Sequence, residues 1–115
     1  MAIPDYQTIM LPLLKLASDG KDHRISEATE ELAKSFGLSE AELAELLPSG
    51  KQSIFSNRTH WAKTYLAQAG LLEVPRRAHF RITETGRDIL ALKPAKVDVE
   101  LLNQFPQFLA FKIPS

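Results

Sequence analysis

Apolar residues recur at Tyr6, Ile9, Met10, Leu13, Leu14 and Ala17. This 3.6-residue spacing predicts a helix over residues 4–18, with Pro4 in its first turn and Asp19-Gly20 as its stop. His23-Arg24-Ile25 is long enough only for a minor strand. Ser26 can cap a second helix whose inward stripe is Leu32, Ala33 and Phe36, with Glu27, Glu30 and Glu31 near the positive end of the dipole and Gly37 as terminator. The clearest start signal is Ser39 with Glu42, a capping-box spacing flanked by Leu38 and Leu43 as a hydrophobic staple. That helix runs to about Leu47 and stops at Pro48-Ser49-Gly50. A fourth begins near Ser56 or Asn57, with Asn57 as its cap, and ends at Gly70. Over 57–69 its inward side is Trp61, Ala62, Tyr65, Leu66 and Ala69, so Trp61 and Tyr65 read as core. Its outward side carries Arg58, Thr59, His60, Lys63, Thr64 and Gln68.

Two short strands follow, Leu72-Glu73-Val74 and His79-Phe80-Arg81-Ile82, each with apolar and polar residues alternating. The turn between them, Pro75-Arg76-Arg77-Ala78, carries two adjacent charges, and Ala78 disfavours a positive-φ turn there. Thr83 caps a helix over about 84–91, which Gly86 weakens slightly. Lys93-Pro94-Ala95-Lys96 reads as a linker. A last helix capped by Asp98 holds Leu101, Leu102 and Phe105 and is broken by Pro106. Beyond it, Phe105 and Phe108 are expected to fold back onto the first helix; Phe111 and Ile113 leave both a packed and a sticky exposed tail open.

Composition narrows the function classes. The chain has 115 residues, 44% hydrophobic and 24% charged, with no Cys, which fits one folded domain and excludes disulfide scaffolds, zinc ribbons and thiol nucleophiles. Met1-Ala2-Ile3-Pro4-Asp5 has no basic n-region, and no uncharged run approaches a membrane span, so a small cytoplasmic domain without membrane contact is expected. Fourteen Lys and Arg balance fourteen Asp and Glu, but unevenly. Residues 19–47 carry three basic against eight acidic side chains, a net of −5; residues 51–87 carry seven against two, a net of +5. Either folding keeps these stretches apart and makes one basic face, or they pack together and neutralise each other.

The element order predicts a mainly α fold with a small β-hairpin: a winged helix-turn-helix with extra N- and C-terminal helices. In that geometry the helix before the hairpin enters the major groove of double-stranded DNA, and flanking cations hold phosphates. Arg58, Thr59, His60 and Lys63 are therefore the candidate groove residues, and Lys51, Arg76, Arg77 and Arg81 the candidate phosphate ligands. His23, His60 and His79 lack metal-ligand spacing, and no Ser sits in a nucleophile motif.

Several separated motifs then carry a resemblance. Ile3-Pro4-Asp5-Tyr6, Leu46-Leu47-Pro48-Ser49-Gly50, Asn57-Arg58, Trp61 to Leu66, Ala69 to Leu72, Arg76-Arg77, Phe80-Arg81-Ile82-Thr83 and Phe105-Pro106-Gln107-Phe108 make the chain similar to the N-terminal domain of the Mrr family. That resemblance implies a winged-helix domain of a modification-dependent (type IV) restriction endonuclease, with methylated DNA as partner. It implies a winged-helix domain over 1–92, then over 93–115 a linker, short helix and aromatic tail leading to a nuclease domain of the PD-(D/E)xK type. No Glu or Gln has a Lys two positions on, so the visible half of that nuclease motif is absent, and Mg²⁺ is expected only in the nuclease domain. A transcriptional regulator and a protein-interaction winged helix are the alternatives. Self-association would run through the aromatic tail or the further domain.

Overall fold

The first helix, α1 (Tyr6–Leu16), starts at Asp5 rather than Pro4: the Asp5 carboxylate accepts the Thr8 N–H at 2.8 Å. The structure, a computed structural model, describes residues 3–112. Pro12 lies inside α1, where it has no N–H for the Thr8 carbonyl, a defect costing about 3 kcal/mol. The helix continues through it because Ile9, Met10, Leu13 and Leu14 are fully buried, each contributing about 1.5–3 kcal/mol. A 3₁₀ turn, Ala17–Asp19, and Gly20 in the left-handed region (φ 77°) end the run.

Strand β1 (His23–Arg24) leads straight into α2 (Ile25–Ser35), one residue before the predicted cap Ser26. Arg24 offers no side-chain cap; instead the Ile25 N–H donates to the Ala78 carbonyl at 2.9 Å, so a tertiary contact replaces the local one. Helix α3 (Glu40–Ala44) has the predicted capping box, with the Glu42 N–H on Ser39 Oγ at 3.1 Å and the Ser39 N–H on Glu42 Oε1 at 2.8 Å. It ends three residues before Leu47, because Leu46 bridges to Ser53 and closes Leu47–Gln52 into a loop. Helix α4 (Ile54–Gln68) therefore starts earlier than the sequence suggests. Its cap is Ser53, whose hydroxyl accepts the Ser56 N–H at 3.1 Å; Asn57 is inside the first turn and donates to Gln52 Oε1 at 3.3 Å.

Strands β2 (Leu72–Glu73) and β3 (His79–Ile82) form the antiparallel hairpin, with Leu72 opposite Ile82 and Glu73 opposite Arg81. β1 joins its other edge, giving the order β1-β3-β2. Phe80 and Ile82 are buried while Arg81 is exposed, as the alternation predicts. Thr83 caps α5 (Glu84–Ala91), accepting the Gly86 N–H at 3.0 Å and donating to the Gly70 carbonyl at 2.6 Å. A Cβ at Gly86 would fall on the Leu71 carbonyl, so glycine there allows α5 to pack tightly and is more than a weak helix former.

The chain beyond α5 stays on the same core. Asp98 caps α6 (Val99–Leu102), and the Val99 N–H donates to Gln7 Oε1 of α1 at 3.0 Å. Pro106 does not end the helical chain: it starts α7 (Pro106–Lys112), where a missing N–H costs nothing. Val97, Leu102 and Phe108 are fully buried and Phe105 is partly buried, so both Phe do fold back onto the core, but α7 packs mainly on α4 and not, as expected, on the first helix. Ile113 lies outside the described residues. The fold is mainly α with a small sheet, and among the described residues no helix is long and apolar enough to cross a membrane.

Phe108 seats the tail against Tyr65 at 5.6 Å between ring centroids. Phe108→Ala is expected to lower the unfolding free energy by about 3–5 kcal/mol, a large share of a small domain's stability. Urea unfolding measures this, and a loss below about 1 kcal/mol would show that α7 is not part of the core.

Candidate nucleic-acid interface

Helix α4 buries Phe55, Thr59, Ala62, Leu66 and Ala69, a stripe with spacings of four, three, four and three that fixes the helix's orientation on α1. Thr59, expected to face outward, is fully buried and donates its hydroxyl to the Phe55 carbonyl at 2.9 Å. A helix starting after Phe55 hides this stripe; with Phe55 included, position 59 falls on the inward side. Trp61 corrects in the other direction: expected in the core, it is 47% exposed. Its ring meets the half-buried Tyr65 edge-to-face, 6.0 Å away.

Arg58 is half-buried and committed within the molecule. Its Nη1 donates to the Ile3 carbonyl at 2.9 Å and to the Pro4 carbonyl at 3.3 Å, tying the N-terminal segment to α4. His60 and Lys63 keep partly exposed positions. Burial, aided by the Lys63 charge, pushes the His60 imidazole below its ordinary pKa, and burial pushes the Lys63 ammonium down as well. Counted at 100° per residue, the side opposite the core stripe is Asn57, His60, Trp61, Thr64 and Gln68. Asn57 is expected from the sequence to be a cap; with the cap at Ser53 it lies inside the helix and on this outer side.

The turn over 74–78 is exposed at the hairpin tip. Ala78 adopts φ 65°, the left-handed conformation its side chain disfavours. The tip is held from the side by Asp22, whose Oδ1 accepts from His79 Nδ1 at 2.8 Å and whose Oδ2 lies 3.7 Å from Arg76. Arg76 is nonetheless 67% exposed. Arg81 pairs with Glu73 across the ladder, as their register dictates. One turn back, Asp19 accepts from His23 Nε2 at 2.8 Å, and that bond holds the Asp19 carboxyl below its ordinary pKa.

The charge segregation in the sequence largely survives folding. Among the described residues, ion pairs between the acidic 19–47 stretch and the basic 51–87 stretch involve Asp22 alone. Lys51, Lys63 and Arg77 have no acidic partner there, and neither Glu27, Glu30 and Glu31 of α2 nor Glu40 and Glu45 have a basic one. Lys51 is exposed in the loop that precedes α4. Cations in such positions suit phosphate contacts, and the amide, hydroxyl and imidazole groups between them suit base edges. A cavity of about 250 Å³ between α2 and α3, lined by Thr29, Glu30, Ala33, Lys34, Leu38 and Leu43, is on the acidic side and mostly apolar. Among the described residues no three His, Asp or Glu side chains gather as a metal site.

Comparison with known proteins adds a family. The model of the Mrr N-terminal domain matches residues 6–92. A type IV methyl-directed restriction enzyme of Escherichia coli (strain K12), EcoKMrr, is 30% identical over 95 residues. The match covers 82% of this chain but only 31% of that relative's length. No solved structure matches the chain.

Two expectations concern the site's own energetics. Ala78→Gly should raise the unfolding free energy by up to about 1 kcal/mol, since relief of the left-handed strain outweighs the added backbone entropy; a destabilised Gly variant in thermal melts would contradict the turn geometry. The His60 pKa is lower in the folded state than its ordinary 6.5, so the unfolded chain takes up the proton first. The stability His60 supports is therefore complete above about pH 6.5 and is lost as pH falls toward the folded-state value. Urea unfolding from pH 8 to pH 5 should show this loss in the wild type relative to His60→Gln; a difference independent of pH would place His60 in full solvent.

Proposed function

Because the chain belongs to the Mrr N-terminal domain family, we propose that it is a winged-helix module that binds double-stranded DNA, with α4 in the major groove and the 74–78 hairpin tip as the wing. The observation that carries this reading is the set of cations left without acidic partners around α4: Lys51 before it, Lys63 on it and Arg77 at the tip, with Arg76 only loosely paired. Winged-helix docking needs these same places to be basic. Phosphates would be held by Lys51, Arg76 and Arg77. Base edges would meet His60 and Lys63, together with Asn57 and Thr64. Arg81 and Arg58 serve first inside the molecule, the one locking the hairpin and the other the N-terminal segment. Thr59 is given no role in reading because its hydroxyl is buried and already bonded.

On this reading the module directs a longer, cytoplasmic protein to modified DNA; the relative's name, a methyl-directed restriction enzyme, supports the modified-DNA part of it. The nuclease, and the Mg²⁺ it uses, lie outside these residues. The face built by α4 and the hairpin is a surface that positions DNA; cleavage requires a Lys beside clustered carboxylates, and among the described residues its lysines have no such cluster beside them.

The double variant Arg76→Ala/Arg77→Ala should weaken binding about equally for all duplex sequences. It should also make the plot of log affinity against log salt shallower by up to about two, since each neutralised phosphate contributes about 0.9 to the slope. Fluorescence anisotropy over a salt series measures both. An unchanged slope would remove the hairpin from the interface.

A further inference from the structure

The outward stripe of α4 contains one residue out of keeping with the rest. Asn57, Thr64 and Gln68 are polar, yet Trp61, in line with them, exposes nearly half of its surface. The indole is not loose: Tyr65 supports it edge-to-face, and Tyr65 is itself clamped by Tyr6 at 5.1 Å and Phe108 at 5.6 Å. A rigid apolar plate therefore projects from the outer side of α4, with Lys63, two residues on, on the opposite flank of the same helix.

In an intact duplex the bases stay stacked, so an aromatic ring on a groove-entering helix cannot intercalate without kinking the DNA. What the major groove offers at its floor is almost wholly polar: acceptors on guanine and adenine, donors on cytosine and adenine, an acceptor on thymine. The apolar group there is the methyl on C5 of a pyrimidine, present on thymine and on 5-methylcytosine and absent from cytosine and uracil. We infer that Trp61 is a specificity-determining residue that packs against a pyrimidine C5-methyl group in the major groove, with the Thr64 methyl one turn on as its neighbour. The inference rests on the DNA-binding reading above, and deepens it by assigning the recognised group to a side chain.

Trp61 is the chain's single tryptophan, so its fluorescence reports on this face without labelling. Titration of the wild-type chain with duplexes that differ only in cytosine against 5-methylcytosine, and only in uracil against thymine, tests the inference. Binding is expected to change Trp61 emission, and each added methyl at the contacted step to tighten binding by about fourfold, the gain from burying one methyl. Trp61→Ala should bring both ratios to about one while leaving the salt slope unchanged; Trp61→Phe, which keeps an apolar ring and guards against a folding defect, should retain a preference. A larger ratio in the cytosine pair than in the uracil pair would assign the contact to 5-methylcytosine, and the reverse to thymine. Duplex binding that leaves Trp61 emission unchanged, or equal affinities within both pairs, would overturn the inference and leave the DNA-binding reading standing. Emission that moves with protein concentration and not with DNA would overturn it in favour of a protein contact through Trp61 and the exposed Phe111. Failure to bind any duplex at low salt would sink the DNA-binding reading itself, and the inference with it.

Discussion

The seam between α1 and α4 is the constraint on which the rest of the molecule depends. Phe55, Thr59, Ala62, Leu66 and Ala69 on one side and Ile9, Met10, Leu13 and Leu14 on the other are removed from water almost completely. A stripe that closely fitted permits one rotation of α4 about its axis, and that rotation decides which side chains project. Thr59 is tolerated inside because its hydroxyl returns to the carbonyl one turn back, leaving only its methyl to the core. The same seam launches the hairpin. Gly70, in the left-handed region at φ 86°, turns the chain out of α4, and Thr83 closes the base of the ribbon against Gly70 and Leu71. The position of the tip is thus fixed relative to the helix it accompanies.

Electrostatics follow from this geometry. A net charge of zero conceals a domain whose acids lie on α2 and α3 and whose bases gather around α4 and the hairpin. Asp22 is the place where the two meet; it restrains the largely buried His79 and the exposed Arg76. A polyanion approaching such a molecule is drawn to one side of it, an effect on encounter rate that salt screens.

Much of this is legible in the sequence where the signals are local. The Ser39–Glu42 box, the Thr83 and Asp98 caps, the stops at Gly20, Gly37 and Gly70 and the alternation in His79–Ile82 each act over four residues or fewer, and each appears at its expected place. Features set by tertiary contacts are not legible. The start of α2 depends on a carbonyl from residue 78, and the loop before α4 is closed by a single bridge between Leu46 and Ser53. That bridge moves the α4 cap from Asn57 to Ser53. The displaced boundary is why periodicity alone turns Thr59 outward and Trp61 inward. Pro106 carries two meanings, a stop for one helix and a first residue for the next, and only the burial of Phe108 decides between them. Of the candidate cations, Lys51, Lys63, Arg76 and Arg77 project, whereas Arg58 is spent on carbonyls of residues 3 and 4, a contact no periodicity reveals.

The central claim is that one face, made by the loop before α4, the outer side of α4 and the hairpin tip, meets duplex DNA. Amide chemical-shift mapping of the chain titrated with a short duplex tests it most directly. The account predicts shifts concentrated at residues 51–64 and 74–79, with α2 and α3 silent. Shifts concentrated on α2, α3 or the α6–α7 segment, or none at low salt, would contradict it.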